Sequence, residues 1–166
     1  MFCKSITNKA ICKYSGDNNF LILESIYQEK FLVYGTKNFT IHFYDFKFEK
    51  VTRYIKKAHD CEITNFRHIF DNNYNRDLLL SISDIIKNIK VWDVKNQDCL
   101  VNIKKAYLEG YLFSSCFLID QIHKMNYIIT VNYNKEFIKI YDFEGKAVST
   151  INNSEDQSVF VDTFYN

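Results

Sequence analysis

Histidine and cysteine are the residue types in this chain that could transfer protons or hold a metal ion at neutral pH. The four histidines are His42, His59, His68 and His123, and the five cysteines are Cys3, Cys12, Cys61, Cys99 and Cys116. No Cys-x-x-Cys pair occurs, and no histidine stands at catalytic or ligand spacing from a cysteine or a second histidine. The sequence therefore predicts no metal site and no cofactor. The odd number of widely spaced cysteines is typical of reduced thiols in a cytoplasmic protein.

A second set of chemically capable residues, the aspartates Asp45, Asp93 and Asp142, recurs along the chain, each after an aromatic residue. Catalytic carboxylates are positioned singly by an active site, so repetition at a regular interval argues against general acid–base catalysis. We predict instead that these carboxylates bind nearby backbone at strand ends. Because the sequence also lacks nucleotide-binding, serine-hydrolase and metalloprotease motifs, we expect no enzymatic activity.

Composition and charge limit the partners that the chain could have. Its 166 residues, 47% of them hydrophobic, suffice for one domain with a core. The net charge of +1 offers no electrostatic attraction for nucleic acid or an anionic membrane. No apolar run approaches the roughly 18–20 residues of a membrane span, and no signal peptide is recognised. Basic and aromatic residues interleave between Lys47 and Lys57, but an outward strand face explains this pattern better than nucleic-acid binding does.

The aromatic-Asp dipeptides mark an internal repeat. Tyr44, Trp92 and Tyr141 are separated by 48 and 49 residues. Each dipeptide ends an alternating run, with two apolar runs before it and another alternating run after it. These runs are short, rich in Ile, Val, Phe, Tyr and Thr, and separated by polar clusters, which predicts four strands per repeat and no helix. In the first repeat we expect strands near 20–26, 31–36, 40–46 and 51–55.

The segment Ile89-Lys90-Val91-Trp92-Asp93 resembles the third-strand ending of WD-repeat proteins, in which each repeat forms one blade of a β-propeller. This resemblance implies an all-β fold, a partial β-propeller of three four-stranded antiparallel blades plus flanking strands of incomplete blades. Within one domain, 1–166, the implied repeats span about 18–57, 58–106 and 107–152, with partial blade strands at 8–15 and 158–166. The abundance of Asn, Lys, Ile, Tyr and Phe indicates an AT-rich genome, such as that of a ciliate or an apicomplexan.

The resemblance also implies a hydrogen-bonded network. In the family, a histidine at the head of a repeat, a serine or threonine in the second strand, an aspartate in the following turn and the tryptophan bind one another. The matching residues here are His59, Ser83, Asp84 and Trp92. The first and third repeats lack the histidine, so the complete set is expected in the middle repeat alone.

We expect Trp92 to be the best-buried aromatic residue of the middle blade. Tyr44 and Tyr141 stand at the matching positions of the other two repeats. Because a buried phenol needs a hydrogen-bond partner, their hydroxyl groups are expected to reach polar atoms.

The function implied by the resemblance is that of a noncatalytic protein-protein interaction scaffold, part of a larger propeller. Its partners are expected to be other proteins and the missing blades, from the same or another chain. An alternative is the accessory propeller portion of a larger enzyme, such as a protein kinase. Binding is expected at loop tips, for which the candidates are Asn18, Asn19, Tyr27, Asn72, Asn73, Tyr74, Arg76, Tyr107 and Glu109.

Overall fold

The computed structural model describes residues 24–26, 31–83, 85–106, 112–132 and 137–152. These residues form strands joined by short turns, and none of them forms a helix that could span a membrane. The strands are β1 (Glu24–Ile26), β2 (Phe31–Gly35), β3 (Ile41–Asp45), β4 (Lys50–Ile55), β5 (Asn65–Asp71), β6 (Arg76–Ser83), β7 (Asn88–Asp93), β8 (Cys99–Ile103), β9 (Leu112–Asp120), β10 (Met125–Asn132), β11 (Phe137–Asp142) and β12 (Ala147–Asn152).

The strands form three antiparallel sheets, each with its four strands in chain order. The first sheet holds β1–β4, the second β5–β8 and the third β9–β12. This arrangement confirms the predicted all-β fold of three four-stranded blades. The partial blade strands that the sequence predicts at 8–15 and 158–166 lie outside the described residues.

The 48- and 49-residue spacing has a structural origin in the pairing of the strands. The three aromatic residues pair with equivalent positions of the preceding strand, as Tyr44–Leu32, Trp92–Leu79 and Tyr141–Ile128. In each sheet the pairing with the fourth strand also shifts at this aromatic residue. The shift is a β-bulge, which inserts one residue and bends the strand. Tyr44 and Tyr141 are therefore the positional equivalents of Trp92.

Two apolar cores hold the three sheets together. The core between the first and second sheets contains Phe43, Leu79 and Trp92, and the core between the second and third contains Leu80 and Val91. Neighbouring residues of β6 and of β7 thus face opposite cores, because side chains alternate along a strand. This explains why β6 is a nearly continuous apolar run, as expected for a strand buried on both faces.

Polar contacts also join neighbouring sheets. Arg53 of β4 donates a hydrogen bond from Nη1 to the Val94 carbonyl oxygen at 3.1 Å, and its guanidinium lies 4.3 Å from the Phe31 ring centroid. Asn126 of β10 donates from Nδ2 to Oδ2 of Asp71, the last residue of β5, at 2.9 Å. These contacts fix the position of each sheet on the next.

Turns at one end of the strands share a single construction. Within the described residues, five of them begin at an aspartate that ends a strand, namely Asp45, Asp71, Asp93, Asp120 and Asp142. In each, Oδ1 accepts one or two hydrogen bonds from backbone N–H groups within the next four residues, at 2.7–3.3 Å. The prediction that the repeated aspartates bind backbone at strand ends is confirmed. We call this end of the molecule, formed by these five turns, the turn rim.

The turn rim contains positions where glycine should stabilise the fold. Glu49, Gln97 and Lys124 follow their aspartates by four residues and have φ angles of 51°, 64° and 55°. The left-handed conformation costs a residue with a Cβ atom about 1–2 kcal/mol, whereas glycine adopts it freely. Gln97→Gly is therefore expected to raise the free energy of unfolding by about 0.5–1 kcal/mol in a urea titration. Lys95→Gly, in the same turn without positive φ, is the control and should lower it.

Candidate functional site

A buried polar network lies in the core between the first and second sheets. His59 and Ser81 are 1% and 0% exposed, and His59 Nε2 lies 2.7 Å from Ser81 Oγ. Trp92 donates from Nε1 to the same oxygen at 2.8 Å. Since an indole N–H can only donate, Ser81 accepts this bond, and we assign the proton of its hydroxyl to the bond with His59 Nε2. This assignment places the ring proton on His59 Nδ1, for which the described residues provide no partner.

The serine of this network is Ser81 rather than the expected Ser83. Trp92 pairs with Leu79, so Ser81 occupies the diagonal position that a long aromatic side chain reaches. Ser83 is buried two residues further along the strand, and its hydroxyl has no hydrogen-bond partner within the described residues. Asp84 lies outside the described residues, so its place in the network stays a prediction.

Lys90 completes the surroundings of the network. Its Nζ donates to the Ala58 carbonyl oxygen at 2.6 Å and lies 5.5 Å from the Trp92 ring centroid. Burial, with a smaller contribution from the Lys90 charge, lowers the pKa of His59 from 6.5 to about 3. The imidazole is therefore neutral at physiological pH. The network anchors the segment before β5 to the second sheet, and its enclosure leaves no access for a substrate.

The neutral His59 makes the stability of the fold pH-dependent. Because its pKa is lower in the folded state than in the unfolded chain, stability is fully present above about pH 6.5 and falls as the unfolded chain takes up protons. Between pH 7 and pH 5 the free energy of unfolding should drop by about 2 kcal/mol from this residue.

Urea titrations at the two pH values test this expectation, with His59→Gln as the variant that removes the effect. Burial also lowers the pKa of His42, so His42→Gln is the matched control for a second titrating histidine. His42→Gln should retain most of the pH dependence. A His59→Gln protein with undiminished pH dependence would show that the effect arises elsewhere.

The third sheet has a simpler form of the same anchor. Tyr141 donates from its hydroxyl to the Ala106 carbonyl oxygen at 2.7 Å, and Lys139 Nζ lies 3.3 Å from that oxygen. Burial raises the pKa of Tyr141 to about 12, so the phenol stays protonated. Ala106 precedes the third sheet as Ala58 precedes the second. A tyrosine hydroxyl thus replaces the histidine, serine and tryptophan of the middle sheet.

One expectation about the aromatic residues was wrong. Trp92 is 5% exposed, whereas Phe66 of β5 is fully buried, so Trp92 is not the best-buried aromatic residue of its sheet. Phe66 has no polar atom to satisfy and lies wholly within the core. The Tyr44 hydroxyl makes no hydrogen bond within the described residues, so its expected polar contact stays a prediction. Tyr44 is half-buried, and its ring packs edge-on against Phe46 at 5.7 Å between centroids.

The turn rim carries exposed apolar side chains. Phe48, Tyr74 and Ile122 are 58%, 62% and 87% exposed at the tips of three of its turns. Cationic groups lie over both aromatic rings, with Lys47 Nζ 5.2 Å from the Phe48 centroid and Arg76 Cζ 4.8 Å from that of Tyr74. The sequence did not single out Phe48 or Ile122. The signal that identifies them is an aspartate at the end of a strand, two or three residues earlier.

The predicted loop-tip residues fall into two groups. The turn between β5 and β6 contains Asn72, Asn73 and Tyr74, and Arg76 begins β6. Asn73 Nδ2 lies 3.4 Å from Asn126 Oδ1, and Arg76 Nε lies 3.3 Å from Asp71 Oδ2. These two side chains therefore support the turn, while Tyr74 projects from it. The other candidates, at Asn18, Asn19, Tyr27, Tyr107 and Glu109, lie outside the described residues.

No protein-family model matches the sequence, and a comparison with curated proteins gave no match. Solved structures do resemble the fold. One is the crystal structure of the Myceliophteria thermophila Cps50 (Swd1) β-propeller domain, with a TM-score of 0.70 at 13% sequence identity. The likeness covers 86% of this chain and 46% of that chain, so this chain spans less than half the length of the matched propeller. At this identity the likeness shows the fold alone, and the described residues have the fold of a three-sheet partial β-propeller.

Proposed function

We propose that the chain is a WD-repeat-like, noncatalytic scaffold in the cytoplasm that binds other proteins through its turn rim. The repeat assignment is supported by the Trp92-Asp93 dipeptide and by Tyr44 and Tyr141 at its equivalent positions. It is supported further by the contact of His59 and Trp92 with one buried hydroxyl, since such contacts stabilise blades in the family that the sequence resembles.

The observation that carries the binding proposal is the exposure of Phe48, Tyr74 and Ile122 on the turn rim. Aromatic residues and arginine dominate the binding energy of many protein interfaces. Here the aromatic rings stand on short turns held by buried or half-buried aspartates, which lowers the entropic cost of ordering them in a complex. By contrast, the histidine and serine of the central network are enclosed and bind other parts of the fold.

The test is a quantitative affinity capture from an extract of the cells that make the protein. The triple variant Phe48→Ser, Tyr74→Ser, Ile122→Ser should retain at least tenfold less of each partner than the unmodified chain. Ile85→Ser is the matched control, because Ile85 is 65% exposed in the turn between β6 and β7, at the opposite end of the strands. Unchanged circular dichroism must accompany both variants.

The outcomes separate the two parts of the proposal. If the triple variant retains every partner, the turn rim is not the binding surface. If the unmodified chain captures nothing above the background of an unrelated protein, the scaffold function itself is contradicted.

A further inference from the structure

One face of every sheet carries the same apolar pattern. The clearest examples are isoleucine pairs that face each other across the third and fourth strands of the three sheets. They are Ile41–Ile55, Ile89–Ile103 and Ile138–Ile151. The pairs occupy equivalent positions because the strands have the same order and matching bulges.

The third sheet exposes part of the face that the other two bury. Ile41 and Ile89 are fully buried under the next sheet, where each belongs to an apolar core. On the third sheet, Ile138 is half-buried and Ile151 is 50% exposed. On the same side Ile129 and Ile140 are half-buried and Leu118 is 41% exposed, whereas Cys116 and Val131 are buried. We call this surface, formed by Leu118, Ile129, Ile138, Ile140 and Ile151, the open face.

The pattern of the fold shows what kind of surface covers such a face. The second sheet covers the first with Leu79 and Trp92, and the third covers the second with Ile128 and Tyr141. The first sheet has an apolar and an aromatic residue at these same two positions, Leu32 and Tyr44. A fourth sheet with this arrangement is therefore the expected occupant of the open face.

The covering surface of the first sheet is present within this chain. Leu32, His42 and Tyr44 are half-buried and Tyr54 is 49% exposed, on the side of the first sheet that faces away from the second. Among the described sheets, none packs against this side. We call the surface formed by these four residues the entry face. Its aromatic rings supply the large contact area that a half-buried isoleucine surface needs.

We propose that two copies of this chain associate head to tail, with the entry face of each covering the open face of the other. A contact between two different surfaces closes into a dimer when the rotation between the copies is twofold, and the contact then occurs twice. The described residues of two copies provide six sheets, within the range of about four to eight blades in closed propellers. The matched propeller is also about twice as long as the stretch that this chain covers. This association uses the two sheet faces and does not depend on the turn rim as a binding surface.

The mass of the chain in solution tests this association. Sedimentation velocity over a concentration series should give a species of twice the 19.8 kDa chain mass. Ile151→Lys on the open face and Tyr54→Lys on the entry face should each weaken the dimer at least tenfold. Both positions are about half exposed, so a lysine at either one leaves the cores within the chain intact. Thr150→Lys is the control, because Thr150 is exposed on the same strand as Ile151 but pairs with Lys139 on the opposite side of the sheet.

Mixing the two interface variants gives the sharper result. The Tyr54→Lys chain retains an intact open face and the Ile151→Lys chain an intact entry face, so an equimolar mixture should regain a dimer held by one intact contact. A Tyr54→Lys chain that dimerises alone would indicate two open faces packed together, which contradicts the head-to-tail arrangement. Longer oligomers would contradict ring closure. An unmodified chain that stays monomeric at about 100 μM would overturn the proposal.

Discussion

Replacing Trp92 with alanine is expected to lower the free energy of unfolding by about 3–5 kcal/mol, the range found when a large aromatic side chain is removed from a core. The indole is 5% exposed and belongs to the core between the first and second sheets. It packs beside its strand partner Leu79 and donates a hydrogen bond to Ser81. The alanine variant loses the apolar contacts and also leaves the Ser81 hydroxyl with one partner fewer.

Urea titration followed by circular dichroism measures this loss. Tryptophan fluorescence is unsuitable as the common readout, because Trp92 is the only tryptophan of the chain. Trp92→Phe retains an aromatic ring and should cost less than the alanine variant, while Tyr74→Ala removes a ring that is 62% exposed and should cost about 1 kcal/mol or less. A loss below 1 kcal/mol for Trp92→Ala would contradict the placement of the indole in the core.

The three-sheet architecture could be predicted from the sequence because its signal is repeated. Alternation along each strand and the 48- and 49-residue spacing are both set by the pairing register, which places Tyr44, Trp92 and Tyr141 opposite equivalent residues. Local preference, turn composition and long-range spacing all indicated the same elements. A fold can be predicted from one sequence when its local and long-range signals agree in this way.

The serine of the network could not be chosen from the sequence alone. Ser81 and Ser83 are separated by two residues in one strand, so alternation gives both the same face. What distinguishes them is the pairing of Trp92 with Leu79, which is a long-range contact. The sequence likewise could not show that Phe66 is more buried than Trp92, because the exposed fraction of each ring depends on how completely the first sheet covers it.

Two of the exposed residues of the turn rim, Phe48 and Ile122, were missed for a different reason. Phe48 lies in an alternating stretch of aromatic and charged residues that resembles a strand as much as a turn. Its position at a tip follows from the Asp45 carboxylate, which binds the backbone N–H groups of Lys47 and Phe48 and so ends the strand. The tips could have been located from the five strand-ending aspartates, which include Asp71 and Asp120.

Ser81→Ala is expected to lower the free energy of unfolding by about 2–4 kcal/mol, a large effect for the loss of one oxygen atom. Removing the hydroxyl leaves the Trp92 N–H and the His59 Nε2 unpaired in a core where both residues are at most 5% exposed. An unsatisfied buried polar group costs about 1–3 kcal/mol. The change creates only a small void, so desolvated polar atoms rather than lost packing account for the effect.

Ser83→Ala is the matched control, since it deletes the same atom two residues away in a site that is equally buried. The Ser83 hydroxyl has no hydrogen-bond partner among the described residues, so its removal should leave stability unchanged or raise it by up to about 1 kcal/mol. Equal losses in the two variants would contradict the assignment of the network to Ser81.

Combining Ser81→Ala with Trp92→Phe extends the comparison. Because the indole N–H is then already absent, Ser81→Ala should cost less than in the unmodified chain. A cost that stays the same in both backgrounds would show that the Trp92–Ser81 hydrogen bond does not stabilise the fold.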